Sequence, residues 1–366
     1  MIYDAARRAL FRLDPERAHA LTLGALRAAG ALPLARIALG RALRFEDPRL
    51  AVEAFGLRFR NPLGLAAGYD KNGVATRGLA SLGFGHLEIG TLTRGPQPGN
   101  PRPRLWRVPE ARAVINRLGF PNDGVDAFLA RGWSDPGIPV GINIGKSKET
   151  PLSEAAGDYV ALLRRVAPRA SYIAINISSP NTPELRQLQT RAYVADLCGA
   201  ITRARDTLAG ESGRRVPVLI KLAPDLEEGQ LEDALDATLG AGMDGVIATN
   251  TTLRRDAAEG FAPARYADCP GGLSGAPLRS LATAMIQRIH ARTGSRLPII
   301  GMGGVASAED ALEKIRAGAT LVQIYTGLIY GGPGLPARIK RGLVLEIERA
   351  GAATLETLTG RRSADG

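Results

Sequence analysis

The sequence predicts an α/β fold, a (β/α)8 or TIM barrel with a small N-terminal helical extension. Two observations lead to this prediction. Eight short apolar segments rich in β-branched residues recur after residue 60, and helical patterns separate most of them. Polar side chains suited to chemistry follow the C-terminal ends of these segments, which is the face where such barrels build their sites.

The predicted strands are continuously apolar, as expected for parallel strands that are buried on both faces. In chain order they are NPLGLAAG (61–68), HLEIGT (86–91), PVGINIG (139–145), YIAINIS (172–178), PVLIKLAP (217–224), GVIATNT (245–251), PIIGMGG (298–304) and LVQIYTG (321–327). The main helical patterns cover 155–167, 192–208, 231–241, 278–293 and 308–317. Strands that alternate with helices in this way predict parallel pairing and closure into a barrel.

Residues 1–44 carry eight arginines, three acids and no strand pattern, and predict two or three short helices. Asp14-Pro15-Glu16 gives an N-cap followed by proline at the first helical position. Three arginines and a proline interrupt the apolar stretch 21–43, so it predicts no spanning helix. No signal-peptide order is visible.

Two interpretations of this extension remain open from the residues alone. It forms either a basic amphipathic hairpin on a membrane surface or a helical cap packed over the main domain. In the first case Leu10, Leu13, Leu21 and Leu26 would face lipid.

Composition limits the class of protein. The two cysteines, Cys198 and Cys269, are far apart in the sequence, so neither a disulfide framework nor a zinc site is predicted. This cysteine content predicts a reducing compartment. The three histidines have no ligand spacing, and no metal is expected. A net charge of +11 suits nucleic acid, anionic lipid or an anionic small molecule, or simply reflects arginine-rich composition. Basic runs interleaved with aromatic residues are absent, so no nucleic-acid partner is predicted.

Strand ends carry the polar residues of interest. They are Lys71, Thr91, Asn143, Asn176, Ser179, Asn181, Lys221, Thr249 and Asn250. The densest stretch is INISSPNTPELRQ (175–187), which offers more amides and hydroxyls than a turn requires. Because the C-terminal ends of barrel strands meet at one mouth, these side chains are predicted to converge.

Two glycine-containing turns, 301–304 and 325–327, follow the last two strands. Glycines allow backbone N–H groups to approach a phosphate. The loops after the last two strands are also the usual phosphate site of this fold. The alternative is that these glycines only form tight turns. No P-loop and no Rossmann fingerprint is present. Lys221 suits either the reduced ring of a flavin or a Schiff base, and the residues alone do not decide between them.

Longer segments carry a family resemblance. They are LDPERAH (13–19), NPLGLAAGYDKNG (61–73), EIGTLTRGPQPGNPRPR (88–104), INRLGF (115–120), NISSPNTPELR (176–186), KLAPD (221–225), ATNTT (248–252), GGLSG (271–275) and IIGMGG (299–304). In this order they resemble class 2, quinone-linked dihydroorotate dehydrogenases over nearly the whole chain. The resemblance implies a barrel that binds one FMN and oxidises (S)-dihydroorotate to orotate in pyrimidine biosynthesis. Ubiquinone or menaquinone would accept the electrons.

The resemblance also assigns roles by position. Ser179 would be the catalytic base, where class 1 relatives use a cysteine. The implied substrate residues are Lys71, Asn116, Arg117, Leu118, Gly119, Phe120, Asn176, Asn181, Asn250 and Thr251. The implied FMN residues are Ala67, Gly68, Tyr69, Asp70, Lys71, Thr91, Asn143, Asn176, Lys221, Thr249, Gly275, Gly304, Tyr325 and Thr326. His19 and Arg107 resemble residues near the quinone.

The family pattern implies that residues 1–44 form a membrane-associating quinone tunnel, 45–350 the FMN-binding barrel and 351–366 a C-terminal tail. It implies peripheral attachment to the cytoplasmic side of the cell inner membrane. Two other classes of protein are alternatives. A tRNA dihydrouridine synthase would suit the positive charge but should carry a catalytic cysteine and an RNA-binding domain. A membrane-bound interaction protein has no need of the polar strand ends.

Overall fold

The computed structural model describes residues 2–132, 135–182, 184–255, 266 and 268–360. Its helices in chain order are α1 Ile2–Phe11, α2 Pro15–Ala31, α3 Pro33–Leu43, α4 Thr76–Ala80, α5 Gly124–Ala130, α6 Ala155–Val166, α7 Arg191–Ser212, α8 Glu228–Gly240, α9 Arg279–Thr293, α10 Ala308–Arg316, α11 Thr326–Gly331 and α12 Leu335–Arg349. Its strands are β1 Val52–Ala54, β2 Leu57–Phe59, β3 Leu63–Leu65, β4 His86–Leu92, β5 Leu105–Val108, β6 Ala113–Asn116, β7 Val140–Ile144, β8 Tyr172–Asn176, β9 Val218–Leu222, β10 Gly245–Ala248, β11 Gly272–Gly275, β12 Ile299–Met302 and β13 Leu321–Ile324.

Eight of these strands form a closed barrel in the order β10-β12-β13-β3-β4-β7-β8-β9, as the sequence predicted. Every pairing around the ring is parallel, for example Asn143 of β7 beside Ala174 of β8. Apolar side chains of these strands pack outward against the surrounding helices, which explains their continuously apolar sequences. Parallel strands that close a ring bring all their C-terminal ends to one mouth.

A short hairpin of β1 and β2 closes the N-terminal end of the barrel. Val52 and Phe59 are buried in one cluster with inward-facing barrel residues such as Tyr172 and Ile300. The sequence did not predict this hairpin, because β1 and β2 precede the repeating strand pattern that begins after residue 60. The opposite end therefore remains as the open mouth.

A second sheet that the sequence did not predict lies beside this mouth. Its three antiparallel strands are arranged in the order β11-β6-β5. Asn116 at the end of β6 pairs with both Leu105 and Gly272. The sheet therefore fixes the predicted substrate residue Asn116 beside the barrel strand ends.

The N-terminal extension forms three helices, and it is docked on the barrel. The Asp14 carboxylate caps α2 by accepting the N–H groups of Glu16 and Arg17, both at 3.0 Å. Arg104 holds Glu16 with two parallel contacts, Nε to Oε1 at 2.8 Å and Nη2 to Oε2 at 2.9 Å. In the described part of the chain no single helix has the length and apolar character needed to cross a membrane. The helices α2 and α3 have them only when taken together, and the pair is bent by 111°.

Candidate active site

One cleft opens at the C-terminal mouth of the barrel, and most predicted site residues line it. The predicted catalytic and substrate residues that line it are Lys71, Asn116, Leu118, Gly119, Phe120, Asn176, Ser179, Asn181, Asn250 and Thr251. The predicted cofactor residues that line it, besides Lys71 and Asn176, are Ala67, Gly68, Thr91, Lys221, Thr249, Gly275, Gly304, Tyr325 and Thr326. Positions from 67 to 326 therefore share one concave surface.

Four of the predicted substrate and cofactor residues do not line this cleft. They are Tyr69, Asp70, Arg117 and Asn143. The Asp70 carboxylate accepts the N–H groups of Val74 and Ala75, at 2.9 and 2.7 Å, and so stabilises the turn after β3. The Arg117 guanidinium points instead to the carbonyl of Pro103 at 3.1 Å. Both side chains support the loops that carry cleft residues.

A buried network of amides and hydroxyls crosses the floor of the cleft. Asn176 Nδ2 donates to Thr91 Oγ1 at 3.1 Å and to Asn143 Oδ1 at 3.3 Å. The Thr91 hydroxyl donates to the same Asn143 oxygen at 2.5 Å. Asn143 therefore lies beneath Thr91 and Asn176, which line the cleft, and its hydrogen bonds fix their orientation.

Ser179 and Ser178 occupy different environments. Ser179 lines the cleft, and its Oγ accepts the N–H of Asn181 at 3.2 Å. Ser178 is fully buried, and its hydroxyl donates to Asn176 Oδ1 at 3.0 Å. Among the described residues, Ser179 has no carboxylate or imidazole within hydrogen-bond distance. Its hydroxyl proton is therefore available to a molecule in the cleft.

A pair of amides forms one wall. Asn181 Nδ2 donates to Asn116 Oδ1 at 3.1 Å and links the loop after β8 to the end of β6. Asn100 donates to the backbone carbonyls of Asn181 and Arg117, at 3.0 and 2.9 Å. Because amide side chains both donate and accept, this wall can bind a flat molecule with alternating N–H and C=O groups.

Lys71 supplies a cation at the other wall. Its Nζ donates to the carbonyl of Gly68 at 2.7 Å, and Tyr325 donates its hydroxyl to the same carbonyl at 3.2 Å. Burial lowers the pKa of Lys71 to about 8, partly opposed by the nearby charge of Glu16. Lys71 therefore changes charge close to neutral pH.

Glycines form one end of the cleft. A Cβ at Gly275 (φ +99°) would lie 2.3 Å from the carbonyl oxygen of Arg112, and one at Gly304 (φ +76°) would lie 2.5 Å from Arg279 Cβ. These positions therefore require glycine. Within the described part of the chain, the N–H of Gly304 has no hydrogen-bond partner. This end fits a phosphate group, which backbone N–H groups bind well.

Comparison with known proteins identifies the family. The sequence pattern described as Dihydroorotate dehydrogenase matches residues 49–347. A protein of Anaeromyxobacter dehalogenans (strain 2CP-C) named dihydroorotate dehydrogenase (quinone) is 50% identical over 365 residues, which are 98% of this chain and 97% of that protein. A relative of the same name from Azotobacter vinelandii is 50% identical over 91% of this chain and 94% of its own length. The chain belongs to the quinone-dependent class of the dihydroorotate dehydrogenase family.

Solved structures agree with this assignment. A crystal structure of DHODH from Eimeria tenella in complex with ferulenol has a TM-score of 0.86 and 36% sequence identity, and the match covers 95% of each chain. A ligand-free structure of the Eimeria enzyme has a TM-score of 0.85 and covers 95% of this chain and 99% of that one. The barrel with its N-terminal helices is therefore the dihydroorotate dehydrogenase fold.

Dihydroorotate dehydrogenases are flavin-dependent, and the lining of the cleft suits such a cofactor. The glycine end suits the phosphate, as described above. Lys221 lines the same cleft and offers a cation of the kind that stabilises the negative charge of a reduced flavin ring. The Thr251 hydroxyl is buried without a hydrogen-bond partner in the described structure, so a bound molecule can satisfy it.

Glu88 supports this dihydroorotate dehydrogenase site, and sequence reasoning missed it. The carboxylate is 1% exposed and accepts from Lys221 Nζ at 3.4 Å and Gln323 Nε2 at 3.0 Å. Burial opposes its ionisation, but the charge of Lys221 and hydrogen bonds from Gln323 and Asn143 hold the pKa of Glu88 below its ordinary value. A charged residue inside the otherwise apolar segment HLEIGT (86–91) was the available signal.

Arg186 is a second residue that sequence reasoning left without a role. Its guanidinium donates to the carbonyls of Ser178 at 3.1 Å and Thr251 at 2.9 Å, and contacts Asp225 at 2.7 Å. One side chain therefore ties together the loops after β8, β9 and β10. No sequence pattern indicated these contacts, because the three loops are far apart along the chain.

A second cavity of about 570 Å³ lies between the N-terminal helices and the barrel. His19, Arg107 and Tyr69 line it, and the His19 and Tyr69 ring centroids are 5.1 Å apart. Burial, followed by the charge of Lys71, lowers the pKa of His19 to about 4. Lys71 and Tyr325 line both cavities, so the second cavity adjoins the dihydroorotate dehydrogenase cleft.

Proposed function

We propose that this chain oxidises (S)-dihydroorotate to orotate and passes the electrons through one FMN to a membrane quinone, ubiquinone or menaquinone, in pyrimidine biosynthesis. The observation that carries the proposal is the position of Ser179. Its hydroxyl faces the same cleft as the amides and cations that a pyrimidine carboxylate and a flavin require.

The substrate lies between the amide wall and Lys71 in this proposal. Asn116, Asn181 and Asn250 contact the ring edge, where N–H and C=O groups alternate. The Lys71 ammonium pairs with the carboxylate, because a charge-assisted contact in a partly buried site is stronger than a neutral one. Thr251 completes the set, and its buried hydroxyl gains a partner when the substrate binds.

Ser179 acts as the base that removes the proton from C5 of the substrate. A serine hydroxyl is a weak base, so its own proton must move onward during the step, through water or a neighbouring group. The contact from the Asn181 N–H fixes the position of Oγ. A bound FMN would supply the acceptor for the hydride that leaves C6 and the redox link to the quinone.

FMN is held along the remaining surface of the cleft. Lys221, which forms an ion pair with Glu88 at 3.4 Å, would lie at the flavin ring, and Thr91 and Thr249 would offer hydroxyls nearby. Gly275 and Gly304 allow the backbone to approach the phosphate, and the paired hydroxyls of Ser274 and Thr326, 2.8 Å apart, lie at the same end.

The quinone occupies the second cavity, near His19 and Arg107. Residues 1–44 attach the protein peripherally to the cytoplasmic side of the inner membrane. Support comes from large apolar side chains that α3 leaves in solvent, Leu34 at 82% and Ile37 at 51% exposure. An amphipathic surface of this kind enters the boundary between headgroups and acyl chains.

One experiment tests the proposed reaction. The purified protein should be yellow, and anaerobic addition of dihydroorotate should bleach the flavin absorbance with one equivalent of substrate per flavin. A later pulse of quinone should restore the colour. A protein without flavin, or one whose flavin does not respond to dihydroorotate, contradicts the proposal.

A further inference from the structure

A small cavity lies behind the glycine end of the active-site cleft. Its volume is about 210 Å³, and its lining includes Arg7, Arg112 and Arg338. Gly275, Gly304 and Gly327 line both this cavity and the main cleft. The cavity therefore reaches the same stretch of backbone that forms the phosphate end of the site.

The three arginines come from separate elements. Arg7 in α1 donates to the carbonyl of Tyr330 at 2.8 Å, and Arg338 in α12 donates to the carbonyl of Gly331 at 2.7 Å. Both contacts attach to α11, which begins directly after Tyr325. The arginines are therefore fixed to the turn that carries the glycine end.

Arg112 is held differently. It occupies the turn between β5 and β6 with φ +46°, a left-handed conformation that few side chains adopt. Its carbonyl accepts the N–H of Ala276 at 3.4 Å, next to Gly275. The backbone of Arg112 therefore packs directly on the glycine end while its exposed side chain lines the cavity behind it.

Carboxylates only partly compensate this charge. Asp4 pairs with Arg7 at 3.3 Å, and in the described part of the chain neither Arg112 nor Arg338 has an ion pair. Glu110 lies close enough to Tyr330 to raise its pKa, after the larger effect of burial. Three guanidinium groups against two nearby carboxylates leave the cavity positive.

We infer that Arg7, Arg112 and Arg338 form a cationic group that retains the flavin through its phosphate. This inference rests on the proposed function. The phosphate carries close to two negative charges at neutral pH, and cations behind the glycine backbone stabilise it there without entering the ring site. Because Arg7 belongs to α1, docking of the N-terminal extension strengthens cofactor binding as well as forming the second cavity.

The test compares two double variants that lose the same charge. Arg7→Gln/Arg112→Gln removes two of the three cations. Arg8→Gln/Arg12→Gln serves as the control, because these arginines line a neighbouring cavity with Arg7 and Arg112 but do not reach the glycines. Holoenzyme is incubated with excess riboflavin, which lacks the phosphate, and the ratio of FMN to riboflavin retained is measured.

In the first variant we expect the preference for FMN over riboflavin to fall about tenfold, since two partly exposed cations each contribute severalfold. The control should keep its preference within about twofold. An unchanged preference in the first variant, or an equal loss in both, overturns the inference.

Two further measurements cover the case in which the first double variant does not fold. One is a salt series on the unmodified protein, and the other uses the single variant Arg338→Gln. The FMN release rate should rise with salt more steeply than that of riboflavin, and Arg338→Gln should raise FMN release alone. Equal salt slopes, or unchanged release from Arg338→Gln, reject the cationic group. A protein that binds neither flavin contradicts the proposed function itself, whereas equal retention by all variants contradicts only this inference.

Discussion

Asn250 Nδ2 donates to the hydroxyl oxygen of Ser178 at 2.9 Å. This contact, together with the bond from Ser178 to Asn176, occupies both hydrogen-bonding functions of that hydroxyl. Two adjacent serines therefore have different roles. Ser178 joins the loops after β8 and β10, and Ser179 faces the cleft. The distinction decides which serine can exchange a proton with substrate.

Replacing Ser179 tests its assignment as the base. Ser179→Ala should slow flavin reduction by dihydroorotate about 10²- to 10⁴-fold, because proton removal loses its catalyst. Reoxidation by quinone should keep its rate, since it does not use this proton. Stopped-flow absorbance of each half-reaction measures both rates. Ser178→Ala, which removes a buried contact instead, should retain most of the reduction rate; equal slowing of both half-reactions in Ser179→Ala would contradict the assignment.

Lys71 predicts how substrate binding depends on pH. Its pKa of about 8 means that the ammonium is charged below that pH and neutral above it. Affinity for the dihydroorotate anion should therefore be constant near pH 7 and fall above pH 8, at most about tenfold per pH unit. The dissociation constant is measured by flavin difference absorbance. In Lys71→Arg the side chain stays charged, so the decline in affinity between pH 8 and 9.5 should disappear. If the affinity of this variant still declines, another group causes the pH dependence.

The exposed side chains of α3 predict membrane attachment. Leu34→Glu/Ile37→Glu should reduce flotation with vesicles at least fivefold, because charged groups oppose insertion at the headgroup boundary. Bleaching of the flavin by dihydroorotate should be unaffected. Leu345→Glu is a matched control, since Leu345 is 51% exposed but lies on α12. Unchanged flotation of the double variant would reject the membrane surface on α3.

His86 predicts a loss of stability in acid. It is fully buried beneath the site, and burial lowers its pKa to about 4 against an ordinary value of 6.5. Between these values the unfolded chain binds a proton that the folded chain does not, so stability decreases as pH falls from 6.5 towards 4. The contribution is at most about 3 kcal/mol.

His86→Leu should therefore flatten that decline, although it lowers stability at pH 7.5 through altered packing against Phe59. Urea denaturation at several pH values compares the slopes. If the unmodified protein and the variant lose stability equally from pH 6.5 to 4.5, the slope comes from other groups.

Much of the barrel could be predicted because its strands are encoded locally. Segments such as YIAIN (172–176) are apolar up to the polar residue at their C-terminal end, so both their type and their direction could be inferred. The β5-β6-β11 sheet could not be predicted, since its strands fall outside the repeating pattern of strands and helices, and β6 pairs with β11 across more than 150 positions. This sheet forms only when the folded barrel brings β6 and β11 together.

The sequence by itself determined the barrel, the helical extension and the set of polar residues at the strand ends, because hydrophobic pattern and motif spacing are properties of adjacent residues. Only the tertiary structure decided that Ser179 rather than Ser178 faces the cleft, that Glu88 compensates Lys221, and that Arg7 and Arg112 lie behind the same glycines. These relationships join residues distant in the chain. Burial, charge pairing and hydrogen-bond direction at such contacts exist only once the barrel has closed.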